Sequence, residues 1–154
     1  AALDERLSSE RVRALVARPA ARDAFDLIEA TAGAEPGAAL RICRSLVAQG
    51  EAPQRVLGAL AWQYALVARC VALQAGRARS DAGLVAQTLK VKPFVAQKAL
   101  AIARKLDEAR LRTLLKAILE ADVAMKTGKD EVWALESLAL RLADLFGETG
   151  AARS

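Results

Sequence analysis

Apolar residues recur at three- and four-residue intervals along most of the chain, and nowhere do they alternate as the residues of a half-buried strand would. The clearest stripe is Leu57, Leu60, Ala61, Tyr64, Val67, Ala68 and Val71, in a segment that opens at Pro53 and runs to about Gly76. A second comprises Leu111, Leu114, Leu115, Ile118, Ala121 and Met125, with Asp107 placed to cap its first turn and Gly128 to end it. The spacing predicts a last helix over 131–146, burying Val132, Leu135, Leu138, Ala139, Leu142 and Leu145, with a loose tail after Gly147. Shorter helices are predicted over 10–17, 22–31, 36–49, 81–89 and 93–106. Ser8 or Ser9, Pro36 and Pro93 sit where such helices start; Pro19, Gly33 and Gly50 sit where they stop. The polar stretch Gly76-Arg77-Ala78-Arg79-Ser80 is the one evident mid-chain loop. Eight helices with short connections predict an all-α fold, packed as a compact bundle or array.

Composition narrows this picture. The chain has 154 residues, 54% of them hydrophobic but only 4% aromatic, so one domain, or one domain plus a fragment, with a substantial aliphatic core is expected. No apolar run is read as long enough to span a membrane, and the N-terminal residues, with Asp4 and Glu5, lack the apolar core of a signal peptide. The expected setting is cytoplasmic, with no membrane partner. Cys43 and Cys70 lie among apolar neighbours and read as two small buried hydrophobes rather than a redox pair.

Candidate chemistry is thin. With no histidine, imidazole catalysis and histidine-ligated metal sites are excluded, and two cysteines do not make a structural zinc site. Gly128-Lys129 is followed by Asp130 where a phosphate-binding loop needs Ser or Thr, and Val123 stands at the position of that motif's first glycine. The acid pairs Asp107-Glu108 and Asp130-Glu131 fall at predicted helix starts, where negative charge is favoured by unpaired amides. No catalytic, cofactor-binding or metal site is expected, so the sequence reads as a non-enzyme without a cofactor.

The net charge of +5 is concentrated. Residues 90–129 hold 10 basic and 4 acidic groups, whereas residues 130–154 hold 2 basic and 5 acidic. A basic surface of this kind can follow phosphates, although helices also turn Lys and Arg outward without any ligand.

Several segments together have a familiar order. Ala24-Phe25-Asp26-Leu27-Ile28-Glu29-Ala30 is followed by Ala39-Leu40-Arg41-Ile42, Gly50-Glu51-Ala52-Pro53 and Leu57-Gly58-Ala59-Leu60-Ala61-Trp62-Gln63-Tyr64. Then come Lys92-Pro93-Phe94-Val95-Ala96-Gln97-Lys98, Ala121-Asp122-Val123-Ala124-Met125-Lys126-Thr127-Gly128 and Leu135-Glu136-Ser137-Leu138. This ordered set resembles the C-terminal part of the bacterial DNA polymerase III delta subunit family, over roughly residues 20–146.

The resemblance implies a clamp-loader collar-like helical array over 19–147, preceded over 1–18 by the end of a lid-type helical domain and followed over 148–154 by a flexible tail. It implies a structural role: the collar holds delta together with the gamma/tau and delta-prime subunits in the complex that loads the sliding clamp onto primed DNA. ATP hydrolysis would belong to partner subunits, and clamp binding to an N-terminal domain outside this chain. The residues that could face DNA are Lys90, Lys92, Lys98, Lys126, Lys129 and Trp133, with the Lys126–Trp133 turn as the candidate loop. Trp133 also fits the core, and the sequence favours that place for it. The alternative is a stand-alone all-α basic nucleic-acid-binding module, which would bind DNA or RNA by itself with a steep salt dependence.

Overall fold

The computed structural model describes residues 22–76 and 81–153, and every described element is helical. The helix expected over 10–17, the lid-type assignment of 1–18 and most of the mid-chain loop lie outside the described residues. The other seven expected helices are present: α1 (Arg22–Ala32), α2 (Pro36–Ala48), α3 (Pro53–Gly76), α4 (Ala82–Leu89), α5 (Pro93–Ala103), α6 (Glu108–Lys126) and α7 (Glu131–Arg153).

Local chemistry sets most boundaries. Asp81 and Asp107 cap α4 and α6, their carboxylates accepting from the backbone amides of Leu84 and Arg110 at 2.7 Å. Asp130 accepts from the amide of Trp133 at 2.8 Å at the start of α7. Pro36 and Pro93 occupy the first turns of α2 and α5, where a missing N–H costs nothing. Gly50 and Gly128 have φ of +94° and +89°, and the following amides, Glu51 and Lys129, return to the carbonyls of Leu46 and Ala124 at 3.0 Å.

α1 ends just before Gly33, as expected. The left-handed residue is Ala34 (φ 57°), not Gly33. Gly33 is needed for space: a Cβ there would lie 3.0 Å from the Glu29 carbonyl oxygen and 3.1 Å from the Glu35 carboxylate. α5 stops at Ala103 rather than Leu106, since the Lys105 and Leu106 amides tighten onto Ile102 and Ala103 at 3.0 and 3.1 Å. The last helix does not stop at Phe146 but continues through Gly147 to Arg153. An interior glycine weakens a helix by only about 1 kcal/mol relative to alanine, and a Cβ at Gly147 would meet Ala34 only at 3.8 Å, an ordinary contact.

α3 is the hub. Val56 through Ala61 and Gln63 through Val67 are buried, because α1, α2, α5, α6 and α7 all pack around it. Contrary to the expectation from sequence, Pro53–Gln74 does have the length and apolar composition of a membrane span. Two-thirds of it is buried inside the molecule, as befits the central helix of a folded domain. The α6–α7 hairpin closes one side against α2 and α3, while the α4–α5 hairpin is carried on α3 mainly through α5.

The predicted stripe of α6 is buried as expected. On α7 the buried face is Ala134, Leu135, Leu138, Ala139, Leu142, Ala143 and Phe146, so it is rotated from the predicted one: Val132 is exposed and Leu145 only partly covered. At the centre, Tyr64 stacks on Phe146 with centroids 6.2 Å apart, and its hydroxyl lies 2.6 Å from that of Thr31.

Polar bridges add to the apolar packing between helices. Arg44 meets Glu136 at 3.1 Å, Gln54 donates to Glu131 at 2.7 Å, and Arg141 meets Glu120 at 2.7 Å. That last contact holds the Glu120 carboxyl below its ordinary value.

Candidate nucleic-acid interface

The first group of candidate residues lies on the turn between α4 and α5. Lys90 closes α4 in the left-handed conformation (φ 57°), a strained place for a side chain with a Cβ, and its amide bonds the Ala86 carbonyl. Lys92 is the N-cap of α5 but offers no side-chain cap. Its ammonium thus adds positive charge where the helix dipole is already positive, which costs stability and favours an anion.

Phe94 follows in the first turn of α5, 59% exposed, with the Lys98 ammonium 4.8 Å from its ring centroid. Two outward lysines beside an exposed flat ring are the elements of a platform for an unpaired base. Phe94 is not among the candidate residues that the sequence singles out. The available signal was its position after Pro93, ahead of the apolar residues α5 turns inward. Lys98 itself is not free: it pairs with Glu29 of α1.

The second group lies on the α6–α7 turn. Lys126 is paired with Asp122 at 2.9 Å, whereas Lys129 is exposed beside Gly128. Trp133 is 61% exposed, which corrects the preference for core. One residue ahead of the buried Ala134, it shares its face of α7 with Leu140, seven residues on and also exposed. The two groups sit on different hairpins, which make no extensive contact with each other. The six candidates therefore do not form one cluster.

The rest of the basic segment is partly consumed by the fold. Lys105 donates to the Ala32 carbonyl at 3.0 Å, Arg110 to the Leu145 carbonyl at 3.2 Å, and Arg112 pairs with Glu108 at 3.2 Å. Among the described residues no cluster of three or more His, Cys, Asp or Glu is placed to hold a metal. Burial, reinforced by the Glu136 charge, pushes the Cys43 thiol up to about 12. Burial pushes Cys70 up to about 11, so neither is a nucleophile at neutral pH.

The family model for the C-terminal domain of the DNA polymerase III delta subunit matches residues 21–142. The chain belongs to this family. It is 29% identical over 140 residues to the DNA polymerase III subunit delta of Bacillus subtilis, a match covering 90% of this chain and 40% of that protein. Its fold is similar to the solved DNA clamp loader delta protein of B. subtilis, with a TM-score of 0.71 and 30% identity, covering 86% of this chain and 39% of that one. The chain thus spans about two-fifths of the length of these delta relatives. The matched stretch includes the whole of α1 to α6 and both candidate turns.

Proposed function

We propose that this chain is the collar domain of a clamp-loader delta subunit, a non-enzymatic part that joins gamma/tau and delta-prime subunits in the cytoplasmic complex that places the sliding clamp on primed DNA. The observation that carries this reading is the agreement of sequence and fold with the B. subtilis delta protein across most of the chain. It disfavours the stand-alone nucleic-acid module. The exposed apolar side chains Val123, Trp133 and Leu140 on the α6–α7 hairpin support a role in contacts between macromolecules. Clamp binding would belong to the parts of delta that this chain does not span.

Within that complex the α4–α5 turn and the α6–α7 turn face the DNA, with Lys90, Lys92 and Lys129 making phosphate contacts, and Phe94 and Trp133 offering stacking surfaces. Lys98 and Lys126 contribute less, because each already holds a carboxylate.

Two measurements test this. The full-length subunit mixed with gamma/tau and delta-prime is expected to co-elute in size exclusion, and to lose co-elution when residues 22–153 are deleted. Persistence after the deletion would refute the collar role. Charge reversal of Lys90 and Lys92 together is expected to weaken binding of primed DNA by the assembled complex. It should also flatten the salt slope by about 0.7–0.9 per lost phosphate contact, with assembly unchanged.

A further inference from the structure

Lys98 already holds an anion in the unbound protein. Its ammonium pairs with Glu29 of α1, at a boundary where α1 and α5 have no extensive apolar packing. Both side chains are open to water, and the exposed Phe94 ring lies under the ammonium. An incoming strand laid on Phe94 therefore meets a lysine whose binding position is filled by a carboxylate.

We propose that Glu29 is an internal competitor for nucleic-acid phosphate, occupying Lys98 until a phosphodiester oxygen takes its place. The proposal rests on the reading of the α4–α5 turn as DNA-facing and deepens it. An ion pair this exposed is weak enough to exchange, while release of the counterions condensed on DNA favours the exchanged state. Lys105, just past the end of α5, keeps its own bond to the Ala32 carbonyl, so the end of α5 stays tied to the end of α1 when Lys98 changes partner. The consequence is a damped site: it binds any polyanion less tightly than three unpaired lysines would.

The test is a double-mutant cycle in the clamp loader assembled with the full-length subunit, read as affinity for a fluorescent primed duplex with a single-stranded template overhang. Glu29→Gln is expected to raise affinity roughly two- to fivefold, and adding Lys98→Gln should erase the gain. Lys98→Gln alone should cost less than it does in the Glu29→Gln background. Asp26→Asn, on the exposed surface one turn earlier in α1, controls for the change in net charge and should give a smaller gain.

A contact that only supported the fold would leave affinity unchanged or lowered in Glu29→Gln. That result, with the Lys90/Lys92 reversal still weakening binding, overturns the competitor while leaving the DNA-facing turn in place. If the Lys90/Lys92 reversal and the Lys98 variants are all without effect, the DNA-facing reading itself is overturned, and the competitor with it.

Discussion

Replacing Thr31 with valine removes one hydroxyl from the centre of the helical array and strands another. Thr31 donates its single proton to the Ile28 carbonyl at 2.9 Å, so in the 2.6 Å contact with Tyr64 the phenol must be the donor. Both residues are fully buried, and burial holds the Tyr64 phenol well above its ordinary range, so it stays protonated.

The two single substitutions are therefore unequal. Tyr64→Phe deletes a donor and leaves Thr31 still bonded to Ile28, at a cost of about 1 kcal/mol. Thr31→Val leaves a buried O–H with no acceptor, at about 1–3 kcal/mol, or roughly 4–8 °C in Tm for a loss near 2 kcal/mol in a chain this size. The double substitution removes both polar groups and is expected to cost no more than about 1 kcal/mol, well short of the sum. Urea unfolding of the four proteins, followed by far-UV circular dichroism, gives the coupling directly. Additive effects, or Tyr64→Phe costing more than Thr31→Val, would refute the assigned direction of the bond.

Two positions at the start of α7, two residues apart, should behave oppositely. Trp133→Ala is expected to change stability by within about 0.5 kcal/mol yet weaken DNA binding by the assembled complex, whereas Leu135→Ala, at a fully buried site, should cost about 2–5 kcal/mol. Thermal unfolding and a DNA titration on each variant check this. Asp107→Ala, which removes the cap of α6, should cost about 1 kcal/mol, measurable as a lower urea midpoint; Asp107→Asn should recover most of it. The Cys43 and Cys70 thiols should react with a thiol reagent only after unfolding. Their values in the folded chain, about 12 and about 11, lie above the ordinary 9.0. The unfolded chain therefore loses these protons first, and stability should be complete below pH 9 and decline as pH rises toward 11–12. A stability that grew over that window would contradict the buried placement.

The seven helices and most of their ends were legible because their causes are local. Caps at Asp81 and Asp107, prolines at 36 and 93, and glycines at 50 and 128 act within one turn, and apolar spacing fixes the helical period. The buried stripe of α6 was read correctly because its polar residues leave a single apolar face. α7 was harder, since leucine, alanine, valine and tryptophan occur on most of its sides, and only its neighbours α1, α2, α3 and α6 select the face turned inward. Trp133 was misplaced for that reason. Gly33 was read correctly as a stop, and it also makes room for a carbonyl; Gly147 was read as a stop, but α7 continues through it.

The candidate site divides along the same line. Sequence alone located the excess of positive charge in 90–129 and the lack of histidine, because both follow from which residues are present. The pairing of those charges depends on which helices come within reach of one another. Only the tertiary arrangement decided that Lys98 meets Glu29, Lys105 meets the end of α1 and Arg110 meets α7, while Lys90, Lys92 and Lys129 point to water. Charge is a property of the chain, but its availability to a ligand depends on contacts between residues far apart in sequence, here 69 positions for Lys98 and Glu29.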